Sequence, residues 1–194
     1  MNLLSERILN MSTSATLAMA AKARELKAEG KDIIGLSLGE PDFNTPDFIK
    51  NAAIKAINEN YNSYTPVDGY IDLKKAIITK FKRDNDLQYT LPQIVVSTGA
   101  KQALANIAAT MINPGDEVIL PVFTYVATAE VIALLRLIPL MVDVDPDTFN
   151  ITGEIIEKAI TPKTKAIVPV HLFGQSCDME SIMEVAEKHN LYVV

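Results

Sequence analysis

The stretch "IVVSTGAKQAL", residues 94–104, changes character in its middle, and that change decides the fold. Ile94, Val95 and Val96 are β-branched and favour an extended chain. Small and hydroxyl residues follow from Ser97 to Ala100, and from Lys101 onward the residues favour a helix up to Met111. A strand that passes into a helix through Ser-Thr-Gly presents first-turn amides at the positive end of the helix dipole, which suits an anion. The same residues also suit a plain capping loop. The sequence here is neither the glycine-lysine phosphate loop of nucleotide hydrolases nor the dinucleotide fingerprint.

Reading outward, strand and helix signals alternate. Strands are expected at 94–98, 117–120, 140–144, 166–170 and 191–194, with helices at 101–111, 128–135, 153–160 and 179–189 between them. Upstream, Ala15 to Glu29 carries apolar residues at helical spacing, with Ser14 placed to cap it and Gly30 to end it. Ile33 to Leu38 is strand-like. Pro46-Asp47 opens a helix to about Asn60, and another runs from Ile71 to about Asp84. Such alternation predicts an α/β domain, a mostly parallel sheet with helices on both faces and ligand groups at the strand C-termini.

Composition narrows the function. The 194 residues hold 24 acidic and 18 basic side chains, so the net charge is −6 and no basic face offers itself to nucleic acid. Cys177 is the single cysteine, which excludes an internal disulfide and fits a cytoplasmic protein. Glu6 and Arg7 interrupt the N-terminus, and the apolar-rich stretch 131–144 contains Arg136 and Pro139, so no membrane segment is expected.

Several side chains are candidates for a site. Gly39, in Gly39-Glu40-Pro41-Asp42, could present its amide to a carboxylate or simply make a turn. Tyr64 could donate a phenol hydrogen bond from its polar loop or pack on the surface. Phe123 and Tyr125 follow a strand and could cover a flat ring or join the core. His171 lacks a second ligand at metal spacing, and Cys177 has no histidine partner near it in sequence.

Residues 12 to about 120 resemble class I aspartate-type aminotransferases, pyridoxal-phosphate enzymes of fold type I. The resemblance rests on "SATLAMAAKARELKAEGKDIIGLSLGEPDFNTPDFI", "SYTPVDGYIDLKKAI" and "IVVSTGAKQALANIAATMINPGDEVILP". It implies that Gly99, Ala100 and Lys101 cradle the cofactor phosphate and that Gly39 holds the substrate carboxylate. It further implies that Tyr64 reaches the phosphate of a neighbouring subunit, hence a homo-oligomer. Residues 121–194, beginning "PVFTYVATAEVIALL" and running through "VPVHLFGQSCDM", are similar instead to the DegT/DnrJ/EryC1 sugar aminotransferases. That resemblance puts Tyr125 against the pyridine ring, with Thr124, Thr128 and Gln175 near the cofactor.

The two resemblances together imply a chimera-like chain with a family switch near 114–121. Residues 1–35 would form an N-terminal arm and helix, and 36–194 a partial cofactor-binding large domain. They imply amino-group transfer between an amino acid and a keto acid or keto sugar. The lysine that binds the cofactor covalently and the acid that pairs with its pyridine nitrogen are implied to lie beyond residue 194, so no catalytic residue is assigned and the chain alone is expected to be inactive. The competing expectation is a non-catalytic or designed α/β domain that binds phosphate weakly, or only folds and associates.

Overall fold

The computed structural model describes residues 3–12, 14–36, 39 and 41–194. They divide into two compact units, residues 1–63 and 64–194.

The described elements of the first unit are the helices α1 (Glu6–Leu9), α2 (Ala15–Ala28) and α3 (Asp47–Asn58). Ser14 caps α2 by accepting the Leu17 amide at 3.4 Å. Gly30, at φ 81°, ends it: its amide donates to the Lys27 carbonyl and that of Lys31 to Leu26, the paired bonds of a Schellman ending. Pro46 stands one place earlier than expected, as the N-cap of α3. Of the strand-like run 33–38, residues 33–36 form no strand, while Ser37 and Leu38 lie outside the described residues.

The second unit holds α4 (Ile71–Asn85), α5 (Ala100–Met111), β1 (Glu117–Pro121), α6 (Ala127–Leu134), β2 (Ile138–Val142), α7 (Gly153–Ala159), β3 (Thr164–Ile167), α8 (Met179–His189) and β4 (Tyr192–Val193). The strands form one parallel sheet in the order β2-β1-β3-β4. Alternation along β1 divides the core in two. Val118 and Leu120 pack with Ala108 of α5, Ile112 just after it and Ile132 of α6. Ile119, between them, packs on the other face with Ile156 of α7 and Ile182 of α8. The connection from β1 to β2 uses α6 on one face, and those from β2 to β3 and from β3 to β4 use the opposite face and run the opposite way. Face and direction switch together, as right-handed crossovers require.

The expected strand at 94–98 is absent from this sheet. Ile94 to Ser97 forms no strand, and a ladder needs a neighbour that these residues do not meet among the described ones. The Val96 amide donates instead to the Asp68 carbonyl at 3.1 Å. β2 begins two residues before its expected start because Pro139 is tolerated in an edge strand, where its missing donor costs no ladder bond. No helix among the described residues is long and apolar enough to cross a membrane.

Candidate functional site

β1 and β3 are neighbours whose chains leave toward opposite faces, β1 into α6 and β3 into α8. A crevice opens beyond their C-terminal ends, where parallel sheets place ligands. A cavity of roughly 570 Å³ lies there, lined by Thr98 to Lys101, Thr124, Tyr125, Ala127, Thr128, Leu104 and Val170.

One wall is the start of α5. Gly99 is its N-cap, with φ 82° and ψ 168°, a conformation open almost only to glycine. A Cβ there would meet no heavy atom within 4 Å, so the backbone and not crowding demands the glycine. The Gly99 amide donates to the Ser97 carbonyl at 2.9 Å, and the Thr98 amide is taken by the Gln102 side chain. The outward donors therefore begin at Ala100 and Lys101, one residue later than the glycine itself.

The opposite wall is the loop between β1 and α6. Tyr125, 68% exposed, sits with its hydroxyl 3.3 Å from Lys101 Nζ. The same ammonium lies 5.1 Å from the ring centre, within cation–π range. Amides, an ammonium and an exposed aromatic face thus converge on one cavity. This donor set fits a phosphate ester on an aromatic ring: positive groups for the dianion and a flat apolar surface for the ring.

Of the residues singled out from the sequence, Gly99, Ala100, Lys101 and Tyr125 meet here. Tyr64 stands in the same unit, fully exposed at 105% relative accessibility. Gly39 belongs to residues 1–63 and is exposed, with nothing within 4 Å of where a Cβ would be. Gln175 does not line the cavity; its carbonyl accepts from Asn150.

The exit of β3 is held by residues the sequence did not mark together. Asn150, buried, donates through Nδ2 to the Gln175 and Ser176 carbonyls at 3.2 and 3.3 Å and accepts the Leu172 amide. His171 Nδ1 accepts the Cys177 amide at 3.1 Å, and the Cys177 thiol donates to the Val170 carbonyl. Burial pushes that thiol above its ordinary pKa. Phe149 and Phe173, both at positive φ, flank Phe123 with ring centres 5.7 and 6.4 Å away. Phe123 and His171 follow β1 and β3 closely, whereas nothing local in the sequence marks Phe149 or Asn150.

Comparison with known proteins agrees with this geometry. The chain is 41% identical to an aspartate aminotransferase of Bacillus sp. (strain YM-2), over 99% of this chain and 51% of that protein. It is 48% identical to a probable aspartate/prephenate aminotransferase of Rhizobium leguminosarum bv. phaseoli, over 85% of this chain and 42% of the relative. Among solved structures, the Thermus thermophilus aspartate aminotransferase with maleate superposes with a TM-score of 0.85 at 36% identity, covering all of this chain and 52% of its own. The alanine aminotransferase of Pyrococcus furiosus gives 0.83 at 30% identity, covering 98% of this chain and 51% of that one. The chain spans about half the length of the curated relatives it matches. Both resemblances read from the sequence are found, and they overlap: the DegT/DnrJ/EryC1/StrS match already begins at residue 88, while the aspartate aminotransferase match covers nearly the whole chain. One shared fold, a partial fold-type-I aminotransferase architecture with pyridoxal phosphate as the family's cofactor, accommodates both. With residues 88–194 matching its model, the chain belongs to the DegT/DnrJ/EryC1/StrS aminotransferase family.

Proposed function

We propose that these residues form the phosphate- and ring-binding part of a pyridoxal-phosphate aminotransferase that moves an amino group between an amino acid and a keto acid or keto sugar. The observation that carries this reading is the meeting of Lys101 and Tyr125, 24 residues apart in sequence, across the cavity at the β1–β3 crevice. The amides of Ala100 and Lys101 and the Lys101 ammonium hold the phosphate, and Gly99 gives the loop its backbone shape. Tyr125 lies against the pyridine ring and Thr124 and Thr128 line the same wall. When bound, the cofactor supplies the electron-withdrawing ring that transamination needs.

Gly39 holds the substrate carboxylate through its amide, and Tyr64 donates its hydroxyl to the phosphate site of a second copy, so the protein works as a homo-oligomer. Residues 1–35 serve as an arm and 36–194 as the cofactor domain. A single buried cysteine and an acidic balance suit a cytoplasmic enzyme. Lys101 belongs to the phosphate loop, so its ammonium serves the phosphate and not a covalent bond to the cofactor.

Parallel titrations with pyridoxal phosphate and pyridoxal test this. Much tighter binding of the phosphate ester, weakened by Lys101→Ala, is expected. Equal affinity for both compounds would overturn the assignment. Sedimentation of the chain at increasing concentration checks the assembly, and a strictly monomeric species would remove Tyr64 from its role.

A further inference from the structure

We propose that Asp68 and Lys74 form a latch that fixes the turn at 66–69 against Val96 and so positions the phosphate loop, making Lys74 a positioning residue for the bound phosphate. This rests on the cofactor reading of Ser97 to Lys101 given above.

Lys74 is out of place for a surface helix. It is 4% exposed, whereas the paired lysines at 75, 80 and 82 of the same α4 keep 50–62% of their side chains in water. Lysine is almost never buried unless paired, and an apolar residue of similar length would fill the site at lower desolvation cost. Its ammonium donates to the carboxylate of Asp68 in the loop before α4. The partner lies outside the helix, so the pair ties α4 to the preceding turn and not one helix position to another.

What the pair does control is the turn. The Gly69 amide donates to the Pro66 carbonyl at 3.0 Å and closes it. The Asp68 carbonyl accepts the Val96 amide at 3.1 Å, so Asp68 is gripped from both ends, by Lys74 at its side chain and by Val96 at its backbone. Gly69, at φ 101°, leaves no clearance: a Cβ would lie 2.6 Å from Val96 Cγ2. Val96 leads directly into Ser97-Thr98-Gly99. The turn also follows Tyr64 by two residues, so one latch registers both segments assigned to the phosphate.

The test compares wild type with Lys74→Met and Lys74→Arg, reading hydrogen exchange of the Val96 amide and the dissociation constant for pyridoxal phosphate. Lys74→Met should speed Val96 exchange and weaken binding, each by about tenfold, while amides of β1 and β3 keep their protection; Lys74→Arg should restore both. Unchanged Val96 exchange in Lys74→Met overturns the latch, as does faster exchange with unaltered affinity. Faster exchange spread evenly over β1 and α5 overturns it too, because the pair would then only stabilise the unit. If Lys74→Met does not fold, the double variant Asp68→Ala, Lys74→Met removes the pair without leaving either charge unpaired and is read in the same way. Wild type that binds no pyridoxal phosphate defeats the cofactor reading instead, and the Val96 exchange then decides by itself whether the turn is latched.

Discussion

The Lys101 ammonium stands between two functions of one tyrosine, 3.3 Å from the Tyr125 hydroxyl and 5.1 Å from the centre of its ring. The ring and the cation belong to different walls of the cavity, and the contact closes the gap between the α5 start and the β1 exit. Truncation and hydroxyl removal should therefore separate. Tyr125→Ala removes the stacking surface and is expected to weaken pyridoxal phosphate by about 1 kcal/mol, roughly fivefold. Tyr125→Phe keeps the ring and should lose less. Calorimetry showing the two variants equally impaired would mean that the hydroxyl, not the face, matters.

Gly99 offers a sharper test, because open space surrounds it while its backbone forbids other residues. Gly99→Val is expected to cost about 1–3 kcal/mol in whichever state must keep that conformation. If the unbound loop can relax, the cost falls on ligand affinity and the melting temperature hardly moves. A valine variant with native affinity for pyridoxal phosphate would show that the loop is only a cap.

Gly153, the first residue of α7, lies so close to α8 that a Cβ would sit 2.7 Å from the Ser181 carbonyl oxygen. The obstacle is backbone and cannot rotate away. Gly153→Ala should lower unfolding stability by about 1–3 kcal/mol in urea titration, as overpacked sites do. A stability within error of wild type would place the two helices farther apart than described.

Glu157 of α7 accepts from Lys188 at 2.6 Å and contacts the His189 ring at 3.0 Å, both in the last turn of α8. Those hydrogen bonds, Lys188 first, hold its carboxyl below the usual glutamate range. A carboxyl depressed in the folded state contributes stability above its unfolded pKa, and that contribution is lost as pH falls through the lower folded value. Wild type should therefore lose more stability than Glu157→Gln between about pH 5 and pH 3, around the ordinary glutamate pKa. Parallel stability curves for the two proteins over that range would dissociate Glu157 from acid unfolding.

Helix ends were legible in the sequence because their signals are local: Ser14 and Gly30 need only neighbours within four residues to act as caps. The parallel sheet was legible because strands buried on both faces read as apolar runs, as in Val118-Ile119-Leu120. The site at Gly99–Lys101 and Tyr125 was reached through resemblance, since nothing in spacing alone brings residues 24 apart together. Three things stayed hidden for physical reasons. Ile94–Val96 has strand composition, but pairing depends on a partner that composition does not reveal. Lys74 looks like any helical lysine until its burial is known. Asn150 gains its role only when the fold brings the 172–176 loop beside it.

The order β2-β1-β3-β4 has a consequence for a chain made from its N-terminus onward. The β1 face that carries Val118 and Leu120 meets Ala108, Ile132 and Leu137, supplied by residue 137, and is completed by Ala166 and Val168. The face that carries Ile119 waits for Ile156, Ile167 and Ile182. During synthesis one half of the hydrophobic interior can therefore begin to assemble from nearby sequence, lacking only Ala166 and Val168 of its buried residues, while the other stays bare for tens of residues. In that interval the nascent two-stranded sheet shows a greasy side to the cell, and β3 must still dock on the flank of β1 that β2 left free. A translational pause before residue 164 has left the ribosome would lengthen that exposure, and one after residue 182 has emerged would not.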